Sequence, residues 1–451
     1  MDFLTGNIRT IYFKYLAMAF GGSLISSVYS IVDMAMVGNY QGPDGTSALA
    51  IAAPLWNIIF SLGMLMGIGG AVLLSTLRGA GPGNEAASNQ FFTAAVIGGA
   101  FLSAVVWIGL IFFDTQLLTF FGATEELLPL VQQYILPIKF MVPVYLWTQL
   151  LSAFLRNDGD PGLATAAVWI GCLFNIAGDY FFIFVMDWGL FGAGFATILG
   201  TILTLIIMLA HFFRRKNTLR LVRPVGLVAK LWKITVTGFS TFFVDVAMGI
   251  LTILFNRQIM ALLGSNALSV YAIIINISTL VQTCAYSIGQ AAQPILSTNF
   301  GAKQSGRIRR VLGYALGTVA VLSVVWTVLD LAVPNALVGL FMTPTEEIQA
   351  IAPTIIRRYS LSYLLLPFNI FSTYYFQALM QPGTAFAVSV SRGAVVSGAL
   401  IFLLPAVAGA DAIWFAMPIT ELVVAAYVAV MMVRYTRRLP TPVDAAAADR
   451  P

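Results

Sequence analysis

The amino-acid sequence predicts an all-α, polytopic membrane protein with twelve transmembrane helices in two pseudo-symmetric six-helix bundles. Three observations carry that expectation: an apolar composition, a succession of apolar runs of membrane length, and a one-sided distribution of cations. Of 451 residues, 59% are hydrophobic and 10% charged, where an ordinary soluble domain carries roughly 25% charged residues. A soluble fold of this size could not hide so much apolar surface from water. Runs able to cross a hydrocarbon core, about 20 residues each, recur from end to end and leave no room for a large soluble domain.

Gly, Pro and charged residues divide these runs into spans. The first half reads as Ile11–Val37, Leu49–Leu77, Phe91–Phe113, Leu128–Phe154, Leu163–Phe184 and Gly189–Phe213. The second half reads as Leu231–Leu263, Leu268–Phe300, Val311–Val333, Thr354–Met380, Thr384–Leu404 and Ala412–Tyr435. The first run is longer than a signal-peptide core and has no small-residue cleavage site behind it, so it is expected to be a retained span.

Nineteen of the 24 Lys and Arg residues fall on one side of this arrangement. The exceptions, Lys139, Arg257, Arg357, Arg358 and Arg392, lie in or at the ends of spans. The opposite loops, among them Gly38–Ala48, Asp114–Leu127 and Pro334–Pro353, hold only acids. The positive-inside rule then places both termini in the cytoplasm, which requires an even number of spans; the expected location is the cell inner membrane.

The halves repeat. Ser75-Thr76-Leu77-Arg78-Gly79-Ala80 recurs as Ser297-Thr298-Asn299-Phe300-Gly301-Ala302, and Thr124-Glu125-Glu126 as Thr345-Glu346-Glu347. Six spans per unit means that both units enter from the same side, a parallel repeat. The expected organisation is an N-terminal lobe over 1–213, a cytoplasmic linker over 214–230, a C-terminal lobe over 231–438 and a disordered tail over 439–451. Cys172 and Cys284 form no CxxC pair and suggest neither a disulfide framework nor a zinc site. His211, beside Arg214-Arg215-Lys216, is expected to snorkel at the interface.

Charge inside a bilayer costs several kcal/mol, so each intramembrane acid is a functional candidate. Four lie well within spans: Asp33, Asp179, Asp245 and Glu421. Asn175 is one turn before Asp179 on the same helix face, and Thr197 in the next span sits at similar depth. Asp33, Asn175, Asp179 and Thr197 thus bring carboxylate, amide and hydroxyl oxygens to one level, the donor set a hard cation such as Na+ requires. The same carboxylates could carry H+ instead. Asp245 and Glu421 could attract a cationic substrate or serve as a second ion site, or could pair with Arg392 or Lys139.

At these residues the chain resembles the multidrug and toxic compound extrusion (MATE) family. The resemblance is carried by Ser30-Ile31-Val32-Asp33-Met34-Ala35-Met36-Val37-Gly38, by Phe174-Asn175-Ile176-Ala177-Gly178-Asp179 and by Gly192-Ala193-Gly194-Phe195-Ala196-Thr197. The turn Leu155-Arg156-Asn157-Asp158-Gly159-Asp160-Pro161 and its counterpart Leu379-Met380-Gln381-Pro382-Gly383 add to it, and the similarity runs from the first span to the last. It implies two six-helix bundles in a V, alternating access, and export of cationic or amphiphilic organic compounds in exchange for H+ or Na+. It also implies a cation-coupling site at Asp33, Asn175, Asp179 and Thr197. Relatives that carry this cation site often have a proline in the first span that bends it on protonation; this chain departs from them in having no proline anywhere in Ile11–Val37, where Gly21-Gly22 offers a softer hinge.

Substrate is expected in a cleft of aromatic, amide and acidic side chains, since aromatic faces attract organic cations. The candidates are Tyr145, Gln149, Asn276, Gln282, Tyr286, Tyr375, Gln377, Asp245 and Glu421, with Met64 and Met66 as adaptable apolar surface. No cofactor beyond the coupling ion, no nucleic-acid partner and a monomeric state are expected. The alternative reading is a flippase for a lipid-linked precursor, whose pyrophosphate calls for several cavity cations, where only Lys139 and Arg392 lie deep. A channel filter and the HExxH and GxGD protease motifs are missing.

Overall fold

The computed structural model describes residues 3–139, 141–341 and 344–439; the expected tail over 440–451 lies outside them. The chain is helical throughout, with no strand among the described residues. Nine described helices are long and apolar enough to cross a membrane, or ten when Leu128–Lys139 and Val142–Asn157, bent by 60°, count as one span.

Two further spans bring the count to twelve: one from a break inside the longest helix and one that is segmented; the break at Gly42 is already counted among the nine. The helix Leu227–Gly301 has 75 residues. At 1.5 Å per residue it would be about 110 Å long, several bilayers. It breaks at Gly264, where φ is +79° and ψ −173°, a backbone region open essentially to glycine alone and costing other residues about 1–3 kcal/mol. Ile8–Gly79 breaks the same way at Gly42, φ +68° and ψ −154°. One glycine therefore does the work that the sequence assigns to the loop Gly38–Ala48. The remaining span is segmented, Glu346–Ser360, Leu361–Leu364 and Leu366–Ala378, with Leu366-Pro367 restarting the helix.

The spans in order are α1 (Ile8–Gly42), α2 (Asp44–Gly79), α3 (Glu85–Phe120), α4 (Leu128–Lys139 with Val142–Asn157), α5 (Pro161–Val185) and α6 (Gly189–Phe213). They continue with α7 (227–263), α8 (265–301), α9 (Ser305–Ala332), the segmented α10, α11 (Pro382–Ala408) and α12 (Ala410–Arg437). A short helix, Pro334–Phe341, joins α9 to α10. The repeated Thr-Glu-Glu turns have the same geometry: Leu127 N–H donates to Thr124 Oγ1, and Ile348 N–H to Thr345 Oγ1, each at 3.3 Å. Both satisfy orphan amides at the start of a helix.

Two compact units result, one of residues 17–242 and one of 3–16 with 243–439. The division falls inside α7, past the basic loop, because the start of α7 packs on α2: a Cβ added to Gly69 would meet Ile234 O at 2.2 Å, and one on Gly238 would meet Leu65 O at 2.1 Å. In the first unit α2 is deeply enclosed, with Met64, Leu65, Met66, Ile68 and Ala71 to Leu74 buried. In the second, the N-terminal stretch docks on α8 and α9. Arg307 Nη2 donates to Phe3 O at 2.7 Å and Gly6 O at 2.8 Å, Tyr12 stacks on Tyr314, and its hydroxyl reaches Thr318 Oγ1 at 3.1 Å.

Candidate functional site

In the first unit, small residues allow α5, α6 and α4 to approach backbone to backbone, the usual device of membrane helices. A Cβ on Gly171 would lie 1.9 Å from Thr204 Oγ1 and 2.7 Å from Gly200 O; one on Gly194 would lie 2.2 Å from Tyr134 O. Asp179 ends the α-helical part of α5, and a π-helical turn, Tyr180–Val185, follows it. Such turns widen the helix and re-aim side chains, often at functional sites.

This packing brings the four predicted oxygen ligands together. Asp33, Asn175, Asp179 and Thr197 are 6%, 3%, 0% and 8% exposed. The Asp33 and Asp179 carboxyl groups lie within hydrogen-bonding reach of each other. Asn175 Nδ2 donates to Thr197 Oγ1 at 3.3 Å, and Thr197 donates to Ala193 O at 3.0 Å. Asp33 Oδ1, both Asp179 oxygens and Asn175 Oδ1 are buried with no hydrogen-bond donor. Among the described residues no Lys, Arg or His forms an ion pair with either aspartate.

Two tyrosines complete the cluster. Tyr29, one turn before Asp33, has its hydroxyl 3.4 Å from Thr197 Oγ1. Tyr134 of α4 is 3% exposed, and its hydroxyl reaches Thr197 and Trp56. Neither stands out in the sequence, where tyrosine in a span reads as packing. The i−4 spacing of Tyr29 from Asp33 was the available signal. Among the described residues no group of three or more His, Cys, Asp or Glu comes together as a metal site. The cluster offers hard oxygen donors and two negative charges, which suit a proton or a small hard cation.

The substrate candidates divide between the units. Tyr145 is half-buried in the first unit, edge-on to Trp56 with ring centroids 4.9 Å apart. Gln149 packs against Gly63 at the crossing of α2 and α4. In the second unit, Tyr286 donates to Asp245 Oδ1 at 2.9 Å and lies 3.5 Å from Gln282 Oε1. Glu421, fully buried, accepts from Arg392 Nε at 2.6 Å and from Asn369 Nδ2 at 2.6 Å. Lys139 pairs with Asp114. Tyr375 and Gln377 are fully buried, with the Tyr375 hydroxyl 2.6 Å from Thr436 Oγ1, and Asn276 is exposed and bonds back to Ala272 O at 3.0 Å. A cavity of about 30 Å³ in this unit is lined by Gln282, Tyr359 and Arg392 among others, room for two or three water molecules.

His211 does not snorkel. It is fully buried, with Nε2 2.7 Å from Asp158 Oδ2 and Nδ1 3.2 Å from Asp160 Oδ2. Carboxylates only accept, so both ring nitrogens donate. Asp158 also accepts from Arg78 Nη1 at 2.5 Å, Thr218 N–H at 3.0 Å and the Thr218 hydroxyl; Asp160 accepts from Arg214 at 2.9 Å. Burial raises the Asp158 pKa, but the donors from His211, Thr218 and Arg78 outweigh it and hold the carboxyl below its ordinary value. The turn after α4 thus ties down the basic loop that follows α6.

A bundle of membrane-length helices, folded as two units and burying carboxylates without partners, is the architecture of a multi-pass membrane transporter. Comparison with known proteins narrows the class. The model of the family described as MatE matches residues 19–181 and again 240–403. The multidrug export protein MepA of Staphylococcus saprophyticus is 24% identical over 431 residues, covering 94% of this chain and 93% of the relative. MepA of Staphylococcus aureus is 24% identical over 429 residues, 94% and 92% covered. A solved structure of a multidrug resistance MATE family transporter in its outward-facing conformation superposes with a TM-score of 0.88 at 18% identity, over 97% of this chain and 98% of that one. A MOP superfamily transporter from Pyrococcus furiosus gives 0.89 at 17% identity with the same coverage. The chain belongs to the MatE family.

Proposed function

We propose that the chain is a secondary active multidrug exporter that moves cationic or amphiphilic organic compounds out of the cell in exchange for H+ or Na+. In this reading it works by alternating access, as a monomer in the cell inner membrane with both termini cytoplasmic. The relatives named as multidrug export proteins support the substrate class. The observation that carries the coupling is the pair Asp33–Asp179: Asp33 Oδ1 and both Asp179 oxygens are buried without a donor, and among the described residues neither carboxylate has a basic partner. Two charges left so in a dry interior would cost several kcal/mol each. A proton shared by the pair, or a Na+ held with Asn175 and Thr197, removes that cost. Release of the ion restores it, so the ion's presence and the state of the surrounding helices are thermodynamically linked. Tyr29 and Tyr134 hold the Thr197 hydroxyl in place.

The two cations deep in spans are engaged with Asp114 and Glu421, which leaves neither for the pyrophosphate of a lipid-linked precursor. The test is ethidium transport in proteoliposomes under an imposed pH gradient and, separately, an imposed Na+ gradient. Accumulation that follows one gradient and reverses with it is the expected result. Ethidium movement indifferent to both gradients would remove the antiport reading.

A further inference from the structure

The second unit contains another set of buried oxygens without partners, remote in sequence from every residue discussed above as a site. Ser323, Thr327 and Asp330 lie four and three residues apart on α9, hence on one helix face, and are 3%, 3% and 0% exposed. Ser362, 1% exposed, belongs to the tight turn Leu361–Leu364 of α10, which packs on α9. Ser323 Oγ, Thr327 Oγ1, both Asp330 oxygens and Ser362 Oγ are all buried without a hydrogen-bond partner. Intrahelical serine and threonine normally bond the carbonyl four residues back, as Thr318 does to Tyr314 O at 2.9 Å on the same helix. Ser323 and Thr327 do not.

The groups around this end of α9 are otherwise occupied. Tyr363 lies 2.7 Å from Ser278 Oγ and 3.3 Å from Ile274 O. Arg357 donates to Leu331 O at 3.1 Å, and Arg358 pairs with Asp411 at 3.2 Å. Tyr359 packs among Tyr271, Tyr363 and Phe255, and Cys284 bonds Trp326. Glu346 and Glu347 are exposed at the start of α10, and Tyr374 and Tyr375 lie further along it.

We propose that Asp330, with Thr327 and Ser362, is a second small-cation site, in which one carboxylate and two hydroxyls take H+ or Na+. One acid without a base is neutralised by a single positive charge, and carboxylate and hydroxyl oxygens are hard donors of the kind a hard cation takes. The site needs nothing from the Asp33–Asp179 pair and stands whether or not that pair couples transport.

Infrared difference spectroscopy on the purified full-length protein carrying Asp33→Asn and Asp179→Asn tests it. A protonated-carboxyl C=O band should persist there and disappear when Asp330→Asn is added. If the ion is H+, raising the pH alone bleaches the band; if Na+ also binds, NaCl bleaches it at constant pH where choline chloride does not. Thr327→Val and Ser362→Ala keep the carboxyl and should shift the midpoint of the response, a readout that serves if Asp330→Asn fails to fold. No Asp330-dependent band responding to either ion, or midpoints unmoved in both hydroxyl variants, would overturn the proposal.

Discussion

Arg392 and Glu421 form a buried ion pair, 2.6 Å apart. Removing one partner of such a pair strands the other charge, at a cost of about 3–5 kcal/mol. Arg392→Met should lower the thermal midpoint in detergent well below that of Arg392→Met with Glu421→Leu, which strands nothing; equal midpoints would show that the pair is not dry. At this scale Asp33, Asn175, Asp179 and Thr197 were legible because charge and amide stand out against an apolar run. Asp330 was not, since it sits three residues from the end of the predicted span and reads as a boundary acid. Only burial reveals that it lacks a partner. His211 misled for a related reason: its partners Asp158 and Asp160 are about 50 residues away and no local pattern announces them.

Helix contacts depend on what is missing from a side chain. Gly171→Ala would push a methyl into Thr204 and the Gly200 carbonyl, and overpacking of this kind costs about 1–3 kcal/mol. Because Asn175 lies one turn further on, the substitution should reduce both thermal stability and coupled transport; normal transport would mean that α5 and α6 can part without disturbing the site. The loop after α6 gives a pH prediction. Asp158 has a folded-state pKa below its ordinary value of about 4, so its stabilisation is complete above that pH and is lost as acid takes it through the lower folded value. Protease cleavage between Arg214 and Arg223 should therefore rise only in strong acid, and Asp158→Asn should expose the loop at neutral pH. Unchanged cleavage in that variant would deny the tie. The breaks at Gly42 and Gly264 explain why span ends were less legible than span number: a single residue with positive φ reverses the path, whereas polarity in Gly38–Ala48 suggests a longer loop.

The molecule as a whole repeats its construction, with a glycine break between the first two spans of each half and the same threonine cap before the fourth. Short polar turns at matched positions made that repeat readable, because turns and caps restrict residue type while lipid-facing helix surfaces accept many apolar ones. What remains specific to the first half is the paired carboxylate, and it carries the central claim. The direct test is reciprocal flux: downhill ethidium movement through proteoliposomes, with internal pH and Na+ followed by indicator dyes. The account predicts uphill movement of one of these ions with the native chain and none with Asp179→Asn, while the variant still exchanges labelled for unlabelled ethidium. Ion movement undiminished in Asp179→Asn would contradict it.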